Sequence, residues 1–155
     1  FTTYFFYTLC KRLGLDKFDS FSCSAIFFIV PAVSFSSFII STDVMLLFFW
    51  VLMMNMLLDV RLNPKNINFI ILGLWFGLAL LSKYAAIYFL LCLIILFFLD
   101  KKIRHSFYNN VFGMFLFVLV PILLILPNLI WNYQNEWVTF SHTSSNANLE
   151  NYKIR

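Results

Sequence analysis

From Phe21 to Leu58 the chain is apolar for about 38 residues, which as one α-helix would measure on the order of 57 Å. The hydrocarbon core of a bilayer is only about 30 Å thick. A single helix would overshoot it by nearly a factor of two, so the tract has to fold back. The polar break in its middle is Ser41-Thr42-Asp43. Side chains of these types accept hydrogen bonds from the free N–H groups that open a helix. One helix is expected to close near Ile40 and the next to open at Val44.

A water-soluble fold is excluded by how much apolar surface remains. Hydrophobic residues make up 62% of the chain and charged residues 12%, against roughly 45–50% and about 25% in a soluble domain. The expected architecture is an all-α membrane protein, a polytopic helical bundle. Its apolar stretches are Phe1–Cys10, Phe21–Ile40, Val44–Leu58, Ile67–Leu81, Ala85–Leu99 and Val111–Leu126. They read as five complete spans preceded by the tail of a sixth. Phe1 already lies inside an apolar run and the chain stops in polar sequence, so residues 1–155 are expected to be a fragment of one transmembrane domain, inactive alone. Residues 127–155 are expected to form a loop segment at the outer face.

Charge decides between one helix and two across Ile67–Leu99. Basic residues gather in three loops: Lys11, Arg12 and Lys17; Arg61 and Lys65; Lys101, Lys102, Arg104 and His105. Two spans in every interval bring all three loops to one side, as the excess of Lys and Arg on the cytoplasmic side of membranes requires. A break at Ser82-Lys83-Tyr84 does this, at the cost of two helices of about 15 residues that imply local thinning or burial by neighbours. Asp59–Asn66 is expected to be a compact polar loop held out of helix by Pro64. The net charge of +4 is spread over these loops and points to the membrane surface, with no nucleic-acid partner.

Two ionisable residues stand apart. Asp43 and Lys83 both lie at the face opposite the basic loops, in turns between spans. A charge at the edge of a membrane bundle is a candidate functional group. The ammonium suits a phosphate, and the carboxylate suits a sugar hydroxyl or a metal. Plain structural roles compete: Asp43 as a helix cap, and Lys83 reaching from a helix end to the interface. After Pro127 come Trp131, Tyr133 and Trp137, which fit interfacial anchors. Asn132, Gln134, Asn135, Glu136, His142, Asn146 and Asn148 supply the donors and acceptors that sugar recognition needs, as a solvated loop also would. His142 has no partner at metal-ligand spacing, and Cys10, Cys23 and Cys92 read as small buried hydrophobes. No cofactor is evident, and a divalent metal is not indicated. There is no phosphate-cradling glycine loop, HExxH helix or nucleophile elbow.

Three segments carry a resemblance. Ser41-Thr42-Asp43-Val44-Met45-Leu46-Leu47-Phe48-Phe49-Trp50 resembles the "TD-x-x-L-x-x-F-W" helix start of the dolichyl-phosphate-mannose protein mannosyltransferase superfamily. Gly73-Leu74-Trp75-Phe76-Gly77-Leu78-Ala79-Leu80-Leu81-Ser82-Lys83-Tyr84 resembles its "G-x-x-x-GLA-x-LSKY" segment. Pro127-Asn128-Leu129-Ile130-Trp131-Asn132, with Trp137–Thr143 after it, is similar to the "P-x-x-x-WN…hT" stretch of its bacterial members, the family 39 and 83 glycosyltransferases that include aminoarabinose and galacturonosyl transferases.

The resemblance implies a GT-C bundle in the bacterial inner membrane, its active site facing the periplasm. It further implies transfer of a sugar from a polyprenyl-phosphate donor to a lipid, glycan or protein acceptor. Asp43, Lys83, Tyr84, Trp131, Asn132 and His142 are then the substrate-binding candidates. The superfamily's catalytic carboxylate falls in an outer loop before the first residue of this sequence. A secondary transporter or channel subunit is the rival reading, for which Pro31 and Ser34, Ser36 and Ser37 are the best features. Polar residues gathered at one face, with apolar spans between, favour chemistry at an interface over a midplane transport site.

Overall fold

The computed structural model describes residues 1–39 and 41–139. Every regular element among them is helical: α1 (Thr2–Arg12), α2 (Lys17–Ile29), α3 (Pro31–Phe38), α4 (Thr42–Leu62), α5 (Asn66–Ser82), a 3-10 turn (Tyr84–Ile87) leading into α6 (Tyr88–Leu99), α7 (Lys101–Asn109) and α8 (Val111–Gln134). By length and composition α4 and α8 can each cross a membrane. At 21 and 24 residues they are about 31 and 36 Å long. α5 and the Tyr84–Leu99 unit are apolar but shorter.

The boundaries follow local chemistry. Gly14 adopts φ +100 after α1, and Asp16 opens α2 by accepting a hydrogen bond from the Asp19 N–H at 2.7 Å. Ser41 opens α4, its hydroxyl accepting from the Asp43 N–H at 3.2 Å. The Lys83 backbone is extended, with φ −160 and ψ 129, so Ile67–Leu99 is two helices with the break in the expected triplet.

Four expectations give way. Phe21–Ile40 is not one helix: Val30 leaves helical geometry with ψ 123 and Pro31 starts α3, because the proline ring blocks the helical conformation of the residue before it. Asp59–Asn66 is a loop only at Asn63–Lys65, around Pro64, since α4 runs to Leu62 and buries Val60 completely. The third basic loop is mostly helix. Asp100 caps α7 by accepting from the N–H groups of Lys102 and Ile103, and Ile103 and Phe107 on its buried side join the core. Lastly, Pro127 does not end the final span. α8 continues through it to Gln134, as membrane helices tolerate when neighbours satisfy the freed backbone groups, and residues 127–134 are helix where a loop was expected.

The core lies between α4, α5 and α8, with Phe49, Met53 and Leu57 meeting Phe69, Leu72 and Phe76, and with Phe117 behind them. The α5–α8 seam is set by Gly73 and Gly77. A Cβ on Gly73 would stand 2.9 Å from the Phe117 carbonyl oxygen, and one on Gly77 would stand 3.0 Å from the Pro121 Cα. Small residues four apart let two backbones approach where lipid supplies no hydrophobic drive between helices. Pro121 deprives the Phe117 carbonyl of its helical donor, and that carbonyl faces Gly73. Individually the glycines look scattered along the sequence; as a pair on one helix face they fix α8 against α5.

Candidate functional site

α4 and α5 are antiparallel, so the first turn of α4 and the end of α5 share one end of the bundle. Asp43 and Lys83 meet there, with Lys83 Nζ donating to Asp43 Oδ1 at 2.5 Å. Both side chains stay open to solvent, at 47% and 45% exposure. The pair is placed by short-range features. Ser41 does the capping and leaves the Asp43 carboxylate free to reach sideways; its Oγ also donates to Asp43 Oδ2 at 3.4 Å. The Lys83 N–H closes α5 on the Ala79 carbonyl at 2.9 Å, which sets the cation at the negative end of the α5 dipole. An exposed pair of this kind contributes only about 0–1 kcal/mol to folding. Its two charges are therefore available to a ligand at little cost in stability.

Next to the pair lies a cleft of about 560 Å³, lined by Lys83 and Tyr84 with Thr42, Ser82, Asn128 and Thr139 around it. Tyr84 Oη donates to Asn128 Oδ1 at 2.8 Å. Asn132, fully buried one helical turn further along α8, donates through Nδ2 to the Asn128 carbonyl at 2.9 Å and to Asn128 Oδ1 at 3.2 Å. Its own Oδ1 has no hydrogen-bond partner among the described residues. The cleft thus carries the Lys83 cation together with the Tyr84–Asn128 hydrogen bond, which the buried Asn132 backs from behind the lining. At the far end of α8, Glu136 and Trp137 take left-handed conformations, φ 54 and 58, and the Trp137 N–H returns to the Asn132 carbonyl at 2.8 Å. This reversal brings Thr139 back to the cleft.

Of the six sequence candidates, Asp43, Lys83, Tyr84 and Asn132 converge on this end of the bundle. Lys83 and Tyr84 line the cleft, and Asp43 and Asn132 adjoin it through their contacts with Lys83 and Asn128. Trp131, 52% exposed, is not among the residues that line it. His142 lies outside the described residues. The hub of the network, Asn128, is not among the candidates. Its signal was the spacing of four between Asn128 and Asn132, which means a shared face only on a helix, and a loop was expected there. Among the described residues, no three His, Cys, Asp or Glu side chains group as metal ligands.

The sequence pattern of the dolichyl-phosphate-mannose-protein mannosyltransferase family matches residues 1–131. The chain belongs to that family. It is also similar to a lipid A galacturonosyltransferase, RgtD, of Rhizobium johnstonii (strain DSM 114642 / LMG 32736 / 3841), at 32% identity over 123 residues, covering 79% of this chain and 25% of the relative. The chain thus spans about a quarter of the length of that relative. No solved structure matches significantly. Family membership together with the apolar α4 and α8 makes this an integral membrane protein of helical architecture. Both ends of the α4–α5 hairpin, and α8 as far as Trp131, fall inside the matched region.

Proposed function

We propose that the protein is a membrane glycosyltransferase that takes a sugar from a polyprenyl-phosphate donor, and that the Lys83–Tyr84 cleft receives the donor's phosphate and sugar. The observation that carries this is the convergence on one cleft of Lys83, whose one carboxylate partner among the described residues is the exposed Asp43, and the Tyr84–Asn128 pair that Asn132 supports. An ammonium that is half exposed and lightly held can exchange its carboxylate partner for a phosphate. The amide network offers the neutral donors and acceptors that hydroxyl groups need.

In the transfer, the bond between the anomeric carbon and the phosphate oxygen breaks while the acceptor oxygen bonds to that carbon from the opposite face. The electron pair leaves with the polyprenyl phosphate. The acceptor's proton passes to a carboxylate base. Lys83 neutralises the charge that develops on the departing phosphate, where one well-placed donor is worth about 10²–10³-fold in rate. Asp43 keeps Lys83 aimed at the cleft until the phosphate arrives. The excess of Lys and Arg at the Arg61 end supports a cytoplasmic location for that end and a periplasmic one for the cleft. A lipid or glycan acceptor is in keeping with the name of the Rhizobium relative.

The test is release of free polyprenyl phosphate from a labelled polyprenyl-phosphate-sugar pool by the full-length protein in membranes. Release by the wild type, with its loss in Lys83→Ala and Asp43→Asn, is the expected result. Full release by folded Lys83→Ala would remove Lys83 from the donor site. Absence of release with every donor in a broad panel would overturn the glycosyltransferase reading.

A further inference from the structure

The opposite end of the bundle holds a second cleft, of about 470 Å³, between the α4–α5 turn and α7. Lys101, Lys102, His105 and Arg61 line it together with Leu62. Its charge is unbalanced. Asp100 is the acid beside it, and its carboxylate is already spent on Arg61 Nε, at 2.8 Å, and on the N–H groups that open α7. Neither Lys101 nor Lys102 has a carboxylate partner among the described residues. Among the described residues Arg61 meets Asp100 through Nε, and its two terminal nitrogens, which have no partner among them, can serve another acceptor.

The surroundings narrow the choice of anion. α7 joins two apolar helices and is itself two-sided: Ile103 and Phe107 are buried, while Lys101, Lys102 and His105 are exposed. A short amphipathic helix between two apolar ones belongs at the boundary of hydrocarbon and headgroups. Leu62, 70% exposed, gives the cleft an apolar edge, which a soluble anion would not use. Basic pockets of this kind between membrane helices hold anionic headgroups.

We propose that this cleft binds an anionic phospholipid, its phosphate held by Lys101, Lys102 and the terminal nitrogens of Arg61, and an acyl chain passing over Leu62. The site is distinct from the Lys83 cleft and independent of the donor reading.

The experiment uses the full-length protein in phosphatidylcholine nanodiscs doped with phosphatidylglycerol, with retained lipids counted by native mass spectrometry. Phosphatidylglycerol is expected to be enriched over phosphatidylcholine. Each lysine removed is expected to weaken retention about fivefold, so Lys101→Gln/Lys102→Gln loses most of it. Lys11→Gln/Lys17→Gln, at basic positions that do not line the cleft, retains the enrichment. Hydrogen exchange across α4 and α8 verifies that each variant is folded. Equal loss in both double variants would mean diffuse surface charge and overturn the site. Full displacement by millimolar inorganic phosphate would make it a soluble-anion site, and absence of enrichment in the wild type would leave no lipid site at all.

Discussion

The two ends of the α4–α5 hairpin use the same residue chemistry in opposite ways. At the Arg61 end the ion pairs are tied into other contacts. Asp100 pairs with Arg61 while capping α7, and Arg12 bridges Asp59 and the Asn55 carbonyl, tying α1 to α4. At the Lys83 end one exposed lysine touches one exposed aspartate. Charges woven into caps and helix contacts hold a structure together. A pair with little else to do leaves its charges free for a ligand. The first arrangement ties its ion pairs into the scaffold and leaves Lys101 and Lys102 over beside them, whereas in the second the ion pair itself faces the cleft.

The sharpest way to break this comparison is to truncate one cation at each end. Lys83→Ala should cut transfer about 10²–10³-fold while stability moves by no more than about 1 kcal/mol, measured by turnover and thermal unfolding of the same preparation. Next in size, Gly73→Val should destabilise by about 1–3 kcal/mol, because the added carbon meets the Phe117 backbone oxygen. It should also impair transfer, since the α5–α8 seam sets Tyr84 against Asn128. Arg12→Ala, at the Arg61 end but in neither cleft, should cost about 1–2 kcal/mol, for a charged hydrogen bond lost, with activity per folded molecule unchanged. Lost activity in that variant, without unfolding, would erase the distinction between the ends.

Acid should separate the ends as well. The hydrogen bond from Arg61 holds the Asp100 carboxyl below the usual carboxylate range, helped by the N–H groups of Ile103 and Lys102 and by the Arg61 charge, and opposed by burial. A carboxyl whose pKa is lowered by folding contributes stability above its unfolded value of about 3.9 and loses it as pH falls through the folded value. Protection of the α7 amides, taken relative to intrinsic exchange at each pH, should therefore fall as pH drops below about 4, and Asp100→Asn should leave protection low and remove this acid-dependent loss. Smallest of all, Tyr84→Phe removes one hydrogen bond to Asn128 and should cost about 0.5–1.5 kcal/mol. A larger effect on donor KM than on stability would place the Tyr84 hydroxyl in contact with substrate.

Much of the helical framework was legible because its signals are local. Ser41 and Pro64 act within a few residues of themselves, and the breaks at Ser41–Asp43 and Ser82–Tyr84 stand where they were expected. Errors arose where a local signal had two meanings. Pro31 starts a new helix, whereas Pro127 is absorbed inside one, and the sequence at each offers no rule for choosing. A proline in a membrane helix is tolerated or not according to what packs against the freed carbonyl. That single ambiguity hid Asn128. Lys101–His105 was similarly opaque, since its basic residues and its buried Ile103 and Phe107 separate into two faces only once the segment is helical.

By itself the sequence determined that the chain is helical and apolar enough for a membrane, where its main hairpin turns, and that Asp43 and Lys83 are charges out of place. Those properties depend on composition, tract length and capping, all written within a few residues of one another. Only the tertiary structure decided that Lys83 meets Asp43, that Tyr84 reaches Asn128, and that Lys101 and Lys102 share a cleft with Arg61. Those meetings depend on how far each helix is rotated and shifted against its neighbours. For Tyr84 and Asn128 they are set at the α5–α8 seam, where two glycines meet a proline-bearing backbone, a contact between residues more than 40 positions apart.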